Sequence, residues 1–245
     1  KMLQIARALG KLQACSLKKE PTAPELQKDF FGQMADTWPL ETYRGMFKGM
    51  AALDNSDKTR ALMEKVHDLL PTYHGSNLAS TIHKQMGFRP VLVNGDLHVG
   101  NVLIDNENGD LVALIDWQCA HLGVGVEDLH RIAISALTAE QRRESSRMLV
   151  EEMYNSLVEN LDGADPPYSL DTLLVVSDIL FPHCALYFVS VFISIITATQ
   201  PSRMRFLPLA LRLCLLYYFQ LVGSLEDVVD FDVKNKKHIG GIKFR

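Results

Sequence analysis

The spacing of apolar residues along the 245-residue chain predicts helices throughout, interrupted once by short strands. The first twenty residues, "KMLQIARALGKLQACSLKKE", put Leu3, Ile5, Ala6, Leu9, Leu12 and Leu17 on roughly one helical face. Pro21, Pro24 and Pro39 then punctuate a loop-rich stretch with a short helix near Glu25 to Ala35. Ser56 is placed to cap a helix running to about Leu70 and ended by Pro71. A further helix is expected from about Asn77 to Met86, stopped by Gly87. The clearest follows Thr138, which forms a capping box with Gln141. It opens a helix to Leu161 with Met148, Leu149, Met153 and Leu157 as its apolar stripe.

Two runs near the C-terminus are more apolar. Ile179 to Thr199, "ILFPHCALYFVSVFISIITAT", is long enough to span a bilayer and holds no Asp, Glu, Lys or Arg. Pro182 and His183 interrupt it, so a buried core helix is expected and no membrane partner. Phe206 to Gly223, carrying Arg212 and Gln220, reads as a second core helix. I-rich and V-rich stretches mark the strands: Val91 to Val93, then Val102 to Ile104 and Leu111 to Ile115. The last two flank "DNENGD", whose Asn108-Gly109 pair favours a tight hairpin turn. That turn is no calcium loop, because the bidentate Glu at its twelfth position is missing.

Composition narrows the function classes. A chain 47% hydrophobic and 22% charged is an ordinary globular one. The formal net charge of -4 supplies no basic field for a phosphate backbone, and no nucleic-acid partner is expected. Cys15, Cys119, Cys184 and Cys214 are far apart and form no C-x-x-C pair. With eight scattered histidines they suggest reduced thiols in a cytoplasmic protein, and neither a disulfide frame nor a zinc site.

The candidate chemistry lies in "VLVNGDLHVGNVLID", residues 91 to 105. Asp96 and Asn101 stand five positions apart, the spacing by which a phosphoryl-transfer loop holds a base and a magnesium ligand near one phosphate. "LIDWQ" ends the second hairpin strand, and its Asp116 is placed to chelate a divalent cation. The hairpin should fold Asn101 and Asp116 back toward each other. Singly, these residues are ordinary turn caps and a strand end. In this order, with Gly95 before the Asp and strands on both sides, they point to phosphoryl transfer, whose catalysis is chiefly positioning and charge neutralisation.

"NGDLHVGNVLID", "LIDWQ" and "EDLHRIA" together resemble the catalytic core of the aminoglycoside and choline kinase-like phosphotransferases, above all the ecdysteroid-kinase-like (CHK-kinase-like) group. The resemblance runs from the opening helix to about residue 220. It implies an α+β, predominantly helical fold: the C-terminal lobe of a protein-kinase-like fold with a small catalytic hairpin. It further implies that Asp96 is the catalytic base and that Asn101 and Asp116 hold Mg²⁺. Asn94, His98 and Asp128 would support the catalytic loop, and ATP would phosphorylate a small-molecule alcohol. The lobe is expected over residues 1–225, with the catalytic loop at 94–101 and the metal segment at 115–118, followed by a tail at 226–245.

Two departures qualify this. Asn94 stands where the family usually has His, though its amide still donates and accepts hydrogen bonds. The family's ATP-covering strands, gripping Lys and hinge precede the helix that opens this chain, so the nucleotide lobe is expected to be absent. "GVGVED" at Gly123 lacks the third Gly of a dinucleotide fingerprint. A fragment or truncated kinase with reduced activity is therefore the leading expectation. A non-catalytic binding or scaffold module is the alternative, and a metal-dependent hydrolase a third reading.

Overall fold

A computed structural model describes residues 1–19, 23–26, 30–53, 56–74, 78–198, 224–228 and 230. The architecture is α+β and predominantly helical, with two small antiparallel ribbons. Its helices are α1 (Met2–Lys19), α2 (Phe30–Thr37), α3 (Leu40–Leu53), α4 (Asp57–Tyr73), α5 (Leu78–Gln85), α6 (Val126–Ala136), α7 (Ala139–Glu159) and α8 (Leu170–Ala198). The strands are β1 (Val91–Val93), β2 (Val102–Ile104), β3 (Leu111–Leu114) and β4 (His121–Gly123).

The opening helix packs along α7. Ile5, Ala6, Leu9 and Ala14 meet Leu149, Val150, Met153 and Leu157 in one buried cluster, each set recurring at helical spacing. Gly10 lets the two backbones approach: a Cβ there would lie 2.2 Å from the Met153 carbonyl oxygen. Tyr168 closes the seam, its hydroxyl donating to Gln13 Oε1 at 2.8 Å. A second cluster gathers Tyr43 and Phe47 of α3, Leu62, Val66 and Tyr73 of α4, Ile134 of α6, and Leu186 and Phe188 of α8. Helices α6 and α8 border both clusters and so join them.

Several expectations need correction. The helix near Glu25 to Ala35 is a single 3-10 turn, Pro24–Leu26, and then α2. The loop-rich stretch also contains α3, hidden by its two glycines; burial of Tyr43 and Phe47 one turn apart outweighs the glycine penalty. Pro71 does not end α4. Thr72 and Tyr73 stay helical after it, Tyr73 is buried, and His74 N–H closes on the Leu70 carbonyl at 2.8 Å. Proline in a last turn forfeits only its own N–H bond and keeps a helical φ.

The apolar run at Ile179 belongs to a helix that begins nine residues earlier, at Leu170, where the Ser169 hydroxyl accepts from Thr172 N at 3.1 Å. Leu170–Ser190 is long and apolar enough to cross a membrane, yet 67% of that window is buried inside the fold. The expected helix from Phe206 to Gly223 lies outside the described residues. As anticipated, Ser56 accepts from Thr59 N, and the Thr138–Gln141 capping box is complete.

The hairpin β2–β3 has the expected strands, with Val102 opposite Leu114, Leu103 opposite Ala113, and an irregularity before Ile104. Strand β1 finds its partner in β4, which the hydrophobic pattern did not announce: Val91 pairs with Gly123 and Val93 with His121. Ser16 of α1 anchors β1 by accepting from Leu92 N at 2.8 Å. These ribbons carry residues 94–101 and 115–120 between them.

Candidate active site

The chain leaves β1 through Asn94, which is fully buried, and turns at Gly95 with φ of +84°. A side chain at Gly95 would be strained twice, by that φ and by a Cβ 2.2 Å from the Cys119 carbonyl oxygen. Asp128, in the first turn of α6, holds this corner. One carboxylate oxygen accepts from Asn94 N at 2.6 Å and the other from Gly95 N at 2.9 Å. The loop then rests on α6 again, where Val99 N donates to the Ser135 hydroxyl at 3.2 Å.

Asn94 ties the loop to the segment after the hairpin. Its Nδ2 donates to the carbonyls of Ile115 at 3.2 Å and Asp116 at 3.0 Å, while its Oδ1 accepts from Asp96 N at 3.1 Å. The histidine expected at this position by resemblance has two ring nitrogens and could not make all three bonds. Asn101 closes the loop, donating through Nδ2 to the Asp96 carbonyl at 2.8 Å. Its own carbonyl accepts from Ile115 N at 3.0 Å, so the hairpin does bring Asn101 and the Asp116 segment side by side. Asp116 has φ of 56°, a left-handed conformation that Asp tolerates better than most residues.

Desolvation raises the half-buried Asp96 carboxyl above its ordinary range. The Asp116 carboxylate adds to that rise, whereas His98 and Arg131 oppose it. A carboxyl raised in this way is poised to take a proton nearer neutral pH. His98 caps its own turn, its Nδ1 accepting from Gly100 N at 3.1 Å.

The residues that sequence reasoning missed lie beneath the loop. Arg131 is fully buried, 3.7 Å from Glu127 and 3.8 Å from Asp128, with its guanidinium 5.8 Å from the Tyr187 ring centroid. Burial alone would raise the Glu127 carboxyl, but the hydrogen bond and charge of His121, the Arg131 charge and the Val124 N–H together hold it below the usual range. Burial dominates at Asp128 and pushes its carboxyl up. The visible signal was "EDLHR", two acids and an Arg within one helical turn.

Whether these residues suit a divalent cation is a question of donors. With Nδ2 of Asn101 committed to the Asp96 carbonyl, its Oδ1 is left to accept, and the Asp96 and Asp116 carboxylates are near enough to repel each other. Three oxygen donors fit Mg²⁺, which takes few protein ligands and completes its shell with water or phosphate. Among the described residues no three His, Cys, Asp or Glu side chains gather where they could hold a metal ion, so any cation here would rest on two carboxylates and an amide oxygen.

The Gly123–Gly125 turn, by contrast, is filled. Glu127 Oε1 accepts from Val124 N at 2.7 Å and lies 2.4 Å from where a Gly123 Cβ would be. The Gln13 amide is packed 2.0 Å from the corresponding point on Gly125. No phosphate can enter this helix start without displacing a buried carboxylate.

Fold and site thus define a predominantly helical domain whose two antiparallel ribbons present a carboxylate-bearing polar loop. The chain belongs to the DUF1679 family, whose sequence model, described as "Uncharacterized oxidoreductase dhs-27", matches residues 1–231. It is also 29% identical over 87 residues to "Uncharacterized kinase-like protein D1044.1" of Caenorhabditis elegans. That alignment takes in 36% of this chain and spans 23% of the length of the curated relative.

Proposed function

We propose that the chain forms the metal-holding, acceptor-side lobe of an ATP- and Mg²⁺-dependent phosphotransferase acting on a hydroxyl of a small molecule. The observation that carries this reading is the coupling of Asp96, Asn101 and Asp116 through Asn94 and Asp128. Asp96 takes the proton of the acceptor hydroxyl. Asn101 and Asp116 hold the cation, which when bound neutralises charge on the transferring phosphate. Asp128 and Asn94 keep the loop from relaxing, and Arg131 offsets the two acids beneath it. The kinase-like relative agrees with this reading.

The nucleotide would lie over the hairpin, where Leu103, Val112 and Ile115 are exposed beside Trp117. A cytoplasmic setting suits the unbridged thiols of Cys15 and Cys184. An oxidoreductase reading, which the family description invites, finds less support. Among the described residues the strands form only antiparallel pairs, and the Gly123–Gly125 turn is occupied by Glu127 and Gln13.

Mn²⁺ titration followed by water-proton relaxation tests the proposal directly. The purified chain should bind Mn²⁺, and Asp116→Asn should weaken that binding by about tenfold or more. Asp96→Asn should abolish phosphate transfer from radiolabelled ATP to an alcohol pool. Equal Mn²⁺ affinity in wild type and Asp116→Asn, or undiminished transfer by Asp96→Asn, would overturn it.

A further inference from the structure

His121 of β4 is wedged between two glycines. A Cβ on Gly95, at the corner of the polar loop, would lie 3.0 Å from His121 Nδ1, and one on Gly123 would lie 3.2 Å from Nε2. The His121 side chain is only 4% exposed. Its Nδ1 is 2.9 Å from the Cys119 carbonyl oxygen, the same atom on which Gly95 packs. Its Nε2 is 3.3 Å from Glu127 Oε2.

A carbonyl oxygen can only accept, so Nδ1 carries a hydrogen. One further proton has to be placed between Nε2 and the Glu127 carboxyl. Two neighbours hold the acid ionised and so send that proton to the ring: Val124 N–H donates to Glu127 Oε1 at 2.7 Å, and the Arg131 guanidinium is 3.7 Å from Oε2. Asp128 makes the same demand on Arg131, 3.8 Å away, and takes backbone N–H donors on both of its oxygens as a carboxylate does. Among the described residues two acids here face one guanidinium, which leaves the buried set one positive charge short.

The other groups around this set do not supply that charge. Burial pushes His83 of α5 down, and His183 of α8 down to about 4, while it pushes the Cys184 thiol up to about 12. All three are therefore neutral near pH 7. On the elements packed against β4, the exposed charges are Lys84 of α5 and Glu25 of the 3-10 turn, which are opposite in sign. We propose that His121 is a buried imidazolium and a positioning residue: donating from both nitrogens, it ties the Cys119 carbonyl, and with it the segment that carries Asp116, to Glu127 of α6 beneath Gly95. Loss of the proton turns a lone pair on Nε2 toward the carboxylate and loosens that tie, so the loop corner responds to pH through this ring. The consequence for catalysis rests on the phosphotransferase reading, whereas the charge of the ring does not.

Long-range ¹H–¹⁵N NMR of the purified chain, without nucleotide or divalent cation, reads the ring directly once its signals are connected to the His121 backbone. At pH 7 the two His121 nitrogens should show the matched shifts of an imidazolium, and as pH is raised the Gly95 amide resonance should move in step with them. Glu127→Gln is the informative variant, because its amide can donate to a bare Nε2 while its oxygen still accepts from Val124 N. In that variant His121 should be neutral at pH 7, with hydrogen on Nδ1 alone, a change that a ring serving only as packing would not show. The widely split shifts of a neutral ring in the folded wild-type chain at pH 7, a Gly95 amide that does not follow the ring, or an imidazolium that survives in folded Glu127→Gln would overturn the assignment. The wild-type spectra decide by themselves if the variant does not fold.

Discussion

Asn94 and Asp116 are joined by a hydrogen bond of 3.0 Å from the Asn94 amide to the Asp116 carbonyl, across 22 positions of sequence. The same amide also reaches the Ile115 carbonyl, so two segments that each carry one acidic side chain share a single buried donor. Asn94→Ala leaves two carbonyls without that donor and should cost about 1–3 kcal/mol. Asn94→Asp should cost more, because it points carboxylate oxygens at carbonyl oxygens in a site closed to water. Urea unfolding of the two variants checks the order, and an aspartate variant as stable as wild type would contradict it.

Asp128 supports the same corner from below. Replacing it with Asn keeps the shape but turns one acceptor into an N–H₂ group facing a backbone N–H. It also removes one of the two acids beside Arg131. Breaking such a buried network on one side costs about 3–5 kcal/mol. Asp128→Asn should therefore lower the urea midpoint with little change in m-value, while Asp128→Glu, with an extra methylene at a buried position, should not restore it.

What was legible in the sequence was local. Thr138 with Gln141, Ser56 with Thr59, and Asn108-Gly109 each act within a few residues, and each element starts or turns where its residues dictate. The candidate site residues stood out because their spacing is local as well: a five-residue step from Asp96 to Asn101, then a hairpin. The partners of that site did not. Arg131 and Glu127 were given no role in the sequence reading, and only the pairing of β1 with β4 buries His121 against Glu127. Helix α3 was missed for a related reason, since Tyr43 and Phe47 acquire their burial from α4 and α8, which local propensity cannot weigh.

Gly10 and Gly87 separate two uses of glycine. Gly10 is inside a helix, where Ala is normally favoured by about 1 kcal/mol. Its Cβ would nonetheless meet Met153 and Leu157 backbone atoms at 2.2 and 2.8 Å, so α1 and α7 would have to part. Gly87 has φ of +76° with nothing within 4 Å of the added atom. Gly87→Ala should cost about 1 kcal/mol of backbone strain, and Gly10→Ala several times that, through the seam packed by Leu9 and Met153. Thermal unfolding decides, and a Gly10→Ala variant more stable than Gly87→Ala would refute the close approach of the two helices.

The acid limb of stability should come largely from two buried histidines. Burial pushes His130 and His183 down to about 4, from 6.5 for the free side chain. A depressed histidine stays neutral in the folded chain while the unfolded chain begins to take up protons near pH 6.5. Its contribution is thus fully present above that pH and declines as pH falls toward 4, by at most about 3 kcal/mol for each ring. His183 lies edge-on to Tyr73, with ring centroids 4.9 Å apart, so His183→Phe keeps the aromatic contact and removes the titration. Urea unfolding at pH 7 and pH 5 should then show a smaller loss for His183→Phe than for wild type, by on the order of 1 kcal/mol. An identical loss in both proteins would mean that His183 is protonated or solvated in the folded state.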